Sequence, residues 1–160
     1  RWQLTTIQID FAQPNNFSLE YVNSDNKKVR PVMIHRALLG SIERFTGILI
    51  EHYAGEFPGW LAPTQINILT IGSVNEYLDK IIKKFSKYRI NIDNRNVRLG
   101  EKIHDSKKMK IPITLIIGEN DSKNNTVAIN YLSGEETKDI SLEHGLKSIN
   151  KVLNKPKFKL

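Results

Sequence analysis

The segment Glu56-Phe57-Pro58-Gly59-Trp60-Leu61-Ala62-Pro63 constrains the fold of this 160-residue chain more than any other stretch. Pro58 and Pro63 lack an amide proton and Gly59 is conformationally permissive, so neither a helix nor a central strand runs through it. Charge changes at the same place. Through Ala62 the chain has six basic and six acidic residues, and the remainder holds the other eighteen basic and eleven acidic ones. The whole net charge of +7 therefore lies beyond the break. We read two domains, residues 1–59 and 60–160. A basic domain beside a neutral one suits a polyanionic partner, because phosphate neutralisation with counterion release drives non-specific nucleic-acid binding. A surface rich in Lys purely for solubility is the competing reading.

Before the break, residues 3–11 alternate apolar and polar side chains, the period of a half-buried strand. Gln3, Gln8 and Asp10 project from its polar side. Pro14-Asn15-Asn16 ends it, and Ser18 to Val22 and Val29 to Ile34 read as a second and third strand joined by Asn23-Ser24-Asp25-Asn26, an antiparallel meander. The apolar run Val32-Met33-Ile34 should deliver His35 and Arg36 at its carboxyl end. Gly40-Ser41 then open an amphipathic helix with Ile42, Phe45, Leu49 and Tyr53 as a core-facing stripe. A strand end and a helix start thus bring His35, Ser41, Glu43 and Arg44 to one joint, a geometry that α/β proteins use for ligands. From chemistry alone His35 is more often a hydrogen-bonded structural residue than a ligand, and Arg44 a solvated or paired surface charge.

After the break strands and helices alternate. Gln65 to Ile71 is a strand. Val74 to Tyr88 is a helix with Val74, Leu78, Ile81, Ile82 and Phe85 on one face and Lys80, Lys83, Lys84 and Lys87 on the other. Arg89 to Asp93 is a short strand, Asn94 to Leu99 a polar loop, Gly100 to Lys108 a helix, and Ile111 to Ile117 an apolar strand buried on both faces. A hairpin through Gly118 to Thr126 leads to strand Val127 to Leu132, Leu142 to Leu153 closes the domain, and the tail Asn154 to Leu160 is expected to fray. The order β-α-β-α-β-β-α predicts a mixed sheet with helices on its faces, an α/β architecture.

The chain has no Cys, so it cannot complete a Cys-based metal site by itself. It has no apolar run of membrane-spanning length and no targeting signature, and on that ground we expect a cytoplasmic protein without a membrane partner. It opens at Arg1-Trp2-Gln3 without an initiating Met, inside what reads as a strand, and we expect a piece of something longer.

Several blocks carry a resemblance. Trp2-Gln3-Leu4-Thr5-Thr6-Ile7-Gln8-Ile9-Asp10-Phe11, Arg30-Pro31-Val32-Met33-Ile34-His35-Arg36-Ala37-Leu38-Leu39-Gly40-Ser41-Ile42-Glu43-Arg44-Phe45, Gly47 through Gly55 and Trp60-Leu61-Ala62-Pro63 resemble the carboxyl-terminal part of threonyl-tRNA synthetases. Gly40 to Arg44 is similar to the third signature motif of class II aminoacyl-tRNA synthetases. The preceding Ile-His-Arg-Ala distinguishes it from the prolyl, glycyl and histidyl enzymes. Beyond residue 60, Arg95-Asn96, Gly100, Lys102-Ile103, Ile111-Pro112, Gly118-Glu119 and Val127-Ala128-Ile129 resemble the anticodon-binding domain of that class. Asn130 stands where that pattern has an Arg, and Asp121 where it has a Glu.

The resemblance implies the end of an antiparallel-sheet catalytic domain followed by a mixed-sheet α/β anticodon-binding domain, from a threonine–tRNA ligase that is a homodimer in full-length form. It implies ATP with magnesium, threonine and tRNA(Thr) as substrates. It implies Arg44 and Gln8 as catalytic residues, with Arg44, Gln3 and Ser41 lining the ATP and threonine pocket. His35 matches one of three protein ligands of a zinc ion, the other two lying upstream. Arg95, Asn96, Glu119 and Asp121 match the anticodon-facing surface, each having a turn or capping role as its plain alternative. Without the upstream motifs this chain would be inactive by itself. A free-standing tRNA-binding or regulatory module derived from a synthetase is the alternative function.

Overall fold

A computed structural model describes residues 2–156. It resolves into two compact units, Arg1–His52 and Tyr53–Leu160. Of the frayed tail expected at the carboxyl end, residues 157–160 lie outside the described residues.

In the first unit, β1 (Thr6–Asp10) pairs antiparallel with β4 (Met33–Ala37), and the short strands β2 (Tyr21–Val22) and β3 (Lys28–Val29) form a separate hairpin. This corrects the expected meander: β1 skips its sequence neighbours and pairs with β4. His35 and Arg36 also lie within β4 rather than beyond its end. Pro14-Asn15-Asn16 does end the strand, but as part of a one-turn helix, α1 (Ala12–Asn16). Asp10 explains that turn, since its Oδ1 accepts the amides of Ala12 (2.8 Å) and Gln13 (3.0 Å). The Asn23 side chain builds the predicted turn, accepting from the amides of Asp25 and Lys27.

Helix α2 (Ile42–Tyr53) has the expected stripe, yet Phe45, Leu49 and Tyr53 are only half-buried and Ile42 is 77% exposed. The β-ladder is similarly bare: Ile7, Ile9 and Ile34 are each more than 60% exposed. By the 25 cal/mol per Å² rule, each such side chain would gain roughly 1.5–3 kcal/mol if covered.

The second unit holds a five-stranded sheet in the order β6-β5-β7-β8-β9. Strands β5 (Ile66–Thr70), β6 (Ile90–Asp93) and β7 (Ile113–Ile117) are parallel, while β8 (Thr126–Tyr131) and β9 (Glu136–Ser141) continue antiparallel. Helices α3 (Asn75–Phe85) and α6 (Leu142–Leu153) contribute Tyr77, Ile81, Phe85, Leu142, Ile149 and Leu153 to a core with Ile66, Ile68, Ile113, Leu115, Ile117, Val127 and Ile129. Two elements differ from expectation. The linker after β7 folds into α5 (Glu119–Asn124), ended by Asn125 in the left-handed region, and β9 is an added strand.

The opposite face is polar. Asn91, Asn67, Thr114, Asn130 and Glu136 are successive register partners across all five strands. Within this row the Asn91 amide donates to Asn67 (2.8 Å), Thr114 shares a proton with Ser106 (2.6 Å), and Asn130 donates to Glu136 (3.2 Å). Helix α4 (Leu99–Lys108) supplies the buried Ser106 and Lys102. Thus β7 is enclosed as predicted, but one of its faces is closed by hydrogen bonds rather than by apolar packing.

Candidate nucleotide and tRNA sites

In the first unit the period of two places Gln8 and Asp10 on one face of β1, and antiparallel register sets Gln8 opposite His35. Gln8, Asp10, His35 and Gln13 line a concavity of about 610 Å³. His35 Nε2 lies 3.0 Å from Asp10 Oδ2, with the two side chains 38% and 20% exposed. Asp10 is held below the usual carboxylate range, first by the Gln13 amide and then by His35. Asp10 joins this site through the β1–β4 register, which its own sequence neighbourhood does not reveal; its period-two relation to Gln8 was the available signal.

Ser41 and Arg44 meet at the start of α2, where Ser41 Oγ accepts the Arg44 amide at 3.2 Å. The exposed Arg44 guanidinium stands 6.0 Å from the centre of the Trp2 ring, at the outer limit of a cation–π contact. Gln3 precedes β1 and donates from Nε2 to Thr6 Oγ1 at 3.0 Å. Gln8 and His35 therefore share one concavity, while Ser41 and Arg44 form a second group.

In the second unit β5 leads through α3 to β6 on one side, and β6 leads through α4 to β7 on the other. Strand order reverses around β5, and open α/β sheets bind ligands beyond the carboxyl ends of strands at such a point. A cavity of about 330 Å³ lies beside that point, beyond the carboxyl ends of β5 and β6, lined by Thr70, Gly72, Asn94, Arg95, Asn96 and Lys102 among others. Gly72 has φ +72°, a left-handed conformation that favours glycine, and its α-carbon passes beside the exposed Glu119 side chain. Arg95 and Asn96 follow β6 and Glu119 follows β7, the two strands that flank β5.

Their side chains are unequally free. Arg95 donates from Nε to Asp93 (2.9 Å) and from an amino group to both Asp93 and Asp105 (2.7 Å each). That guanidinium holds the Asp93 carboxyl below its usual range. Asn96 and Glu119 are exposed. Asp121 is turned into α5, accepting from the Gly118 amide (2.9 Å) and the Thr126 hydroxyl (3.0 Å), as its plain capping alternative anticipates. Sequence reasoning gave Lys102 no role of its own. Its buried ammonium donates to the carbonyls of Thr70 (2.8 Å) and Asp93 (3.2 Å), tying together the ends of β5 and β6 that frame the cavity.

Comparison with known proteins bears on both units. The family model described as "Anticodon binding domain" matches residues 65–152, more than half of the chain. The chain belongs to that family. The model described as "tRNA synthetase class II core domain (G, H, P, S and T)" matches residues 1–53. The threonine–tRNA ligase of Thermotoga petrophila is 43% identical over 158 residues, covering 96% of this chain and 25% of its own length. That of Aquifex aeolicus is 51% identical over 131 residues, covering 80% of this chain and 20% of its own length. The solved RNA-binding domain of threonyl-tRNA synthetase from Cryptosporidium parvum superposes with a TM-score of 0.76 at 30% identity, covering 94% of this chain and 39% of that one. The chain thus spans about a quarter of the length of the curated relatives it matches. Among the described residues no helix is long and apolar enough to cross a membrane.

Proposed function

We propose that this chain is a segment of a threonine–tRNA ligase, in which residues 1–59 end the catalytic core and residues 60–160 bind the anticodon. The observation that carries the reading is the agreement of two independent family matches, in this order, with 43% identity to a threonine–tRNA ligase over nearly the whole chain. The bare β1–β4 ladder supports it: a sheet with Gln8 and His35 on one face and exposed Ile7, Ile9 and Ile34 on the other suits one wall of a larger core.

The ligase would join threonine to ATP, releasing pyrophosphate, and pass the threonyl group to the terminal ribose of tRNA(Thr). Arg44 would hold the nucleotide's polyphosphate, where a guanidinium fork stabilises charge developing on the departing pyrophosphate. Gln3, Gln8 and Ser41 would orient ATP and threonine by hydrogen bonding. Catalysis of this kind rests on positioning more than on a general base. ATP would enter with magnesium, and the full-length ligase would act as a cytoplasmic homodimer.

The residues present fit one side of a zinc site. His35 is partly exposed, its Nε2 is engaged by Asp10, and its Nδ1 makes no hydrogen bond among the described residues. No group of three or more His, Cys, Asp or Glu among the described residues could hold a metal by itself, so His35 would be one donor of a set completed elsewhere in the ligase. A zinc ion there would supply Lewis-acid binding of threonine's amino and hydroxyl groups, discriminating against valine, which lacks the hydroxyl.

In the second unit unstacked anticodon bases would lie over the carboxyl ends of β5, β6 and β7, met by Arg95, Asn96 and Glu119, with Asp121 shaping the loop. The test is amino-acid-dependent pyrophosphate exchange by the full-length protein. Exchange with threonine and none with proline or glycine is the expected result. Exchange with another amino acid would reject the threonine reading in favour of a class II synthetase of different specificity, and exchange with none would leave a free-standing tRNA-binding module.

A further inference from the structure

We propose that Asp10 is the positioning residue that fixes the ring of His35 with Nδ1 free to bind metal. This rests on the zinc reading above and goes beyond it by naming the ligating nitrogen and the group that selects it.

The geometry leaves Asp10 little freedom. Its Oδ1 accepts two backbone amides, from Ala12 at 2.8 Å and Gln13 at 3.0 Å, which fixes the carboxyl plane. Oδ2 is then directed at His35 Nε2, 3.0 Å away. The backbone supports the same arrangement. In the β1–β4 register Asp10 sits opposite Met33, two residues from His35 on the same strand and therefore on the same face of the ladder.

Chemistry follows from the donor inventory. An ionised carboxylate only accepts, so His35 Nε2 must carry the proton. A neutral imidazole with its proton on Nε2 keeps its lone pair on Nδ1, and that lone pair is what a metal takes. A carboxylate behind a ligating imidazole orients the ring and strengthens it as a donor, and loss of such a partner typically weakens metal binding roughly 10- to 100-fold.

Capping of α1 alone would also account for an Asp at this position, and Asp10→Asn separates the two roles. Asn is as good a cap, and its carbonyl oxygen must take the Oδ1 place to keep the Ala12 and Gln13 amides satisfied. The amide NH₂ then faces His35 Nε2 and donates to it. The ring is forced to carry its proton on Nδ1, the nitrogen meant for the metal. Asp10→Ala removes the cap but leaves the ring free to take either tautomer.

The experiment measures zinc affinity of the full-length ligase by competition with a chromogenic chelator, for the wild type, D10N, D10A and H35A, with melting temperatures taken alongside. The expected order of affinity is wild type, then D10A, then D10N, with D10N weakened about 10-fold or more at an unchanged melting temperature. D10N within twofold of the wild type, while H35A loses zinc, would overturn the positioning role and leave the zinc reading standing. A wild type that binds no zinc, or an H35A variant that binds it undiminished, would overturn the zinc reading and this inference with it.

Discussion

Lys102 offers the sharpest test of how the anticodon-side cavity is held. The residue is only 3% exposed, and its ammonium donates to the carbonyls that end β5 and β6, Thr70 at 2.8 Å and Asp93 at 3.2 Å. Lys102→Met keeps the length of the side chain and removes both donors. Two effects then oppose each other. Burying an ammonium costs several kcal/mol, which Met recovers. Against that, hydrogen bonds to charged groups contribute about 1.5–3 kcal/mol each, and stranded carbonyls cost about 1–3 kcal/mol. The nearby Asp93 carboxylate also loses a favourable charge. With two bonds and an anion against one desolvation, we expect a net loss of about 2 kcal/mol. For a unit of this size that lowers the melting temperature by about 8–16 °C. Thermal unfolding followed by circular dichroism reads it directly. A Met variant that melts at or above the wild-type temperature would refute the reasoning and show that desolvation of the ammonium outweighs its bonds.

Further outcomes follow from other residues. A Cβ at Gly59 would meet Leu153 Cδ2 and the Val152 carbonyl at 2.7 Å each, so Gly59→Ala should destabilise by about 1–3 kcal/mol, whereas Gly100→Ala meets nothing within 4 Å and should add roughly 0.5 kcal/mol to helix α4; denaturant titration of the pair checks both signs. Because Arg95 depresses the Asp93 carboxyl from its ordinary 3.8, the stability it provides is complete above that value and is lost as pH falls through the lower folded one. Arg95→Gln should accordingly move the acid-unfolding midpoint to higher pH, and a dichroism titration that finds no movement would contradict the assignment. Affinity for tRNA should fall steeply with salt and drop when the anticodon is exchanged; equal binding of the exchanged tRNA would leave residues 63–160 as a general electrostatic surface.

Much of the second unit was legible because its helices carry a strong 3.6 period: Ile81 and Phe85 of the expected stripe are buried on one face of α3, joined there by Tyr77, which the apolar pattern does not include. Strand β9 was not legible, since Glu136–Ser141 is almost wholly exposed and earns its place by pairing with β8 rather than by an apolar pattern. Helix α5 escaped notice for a similar reason. Its six residues have no apolar stripe, and the Asp121 cap and left-handed Asn125 define it. In the first unit the expected strand Val29 to Ile34 is divided between β3 and β4, and which strand pairs with which is a long-range matter. The pairing of β1 with β4 is what sets Gln8 opposite His35 and brings Asp10 to the same ring. Residue types at the candidate sites could be read one by one. Their hydrogen-bond partners, above all the two aspartates that occupy Arg95, belong to the folded chain alone.

Threonylation of tRNA(Thr) by the full-length protein, measured beside a transcript with an exchanged anticodon, probes both units at once. The account predicts charging of the first and severe loss with the second, since residues 1–59 would serve the chemistry and residues 60–160 the selection. Charging of both transcripts equally would contradict the anticodon role, and charging of neither would contradict the ligase itself.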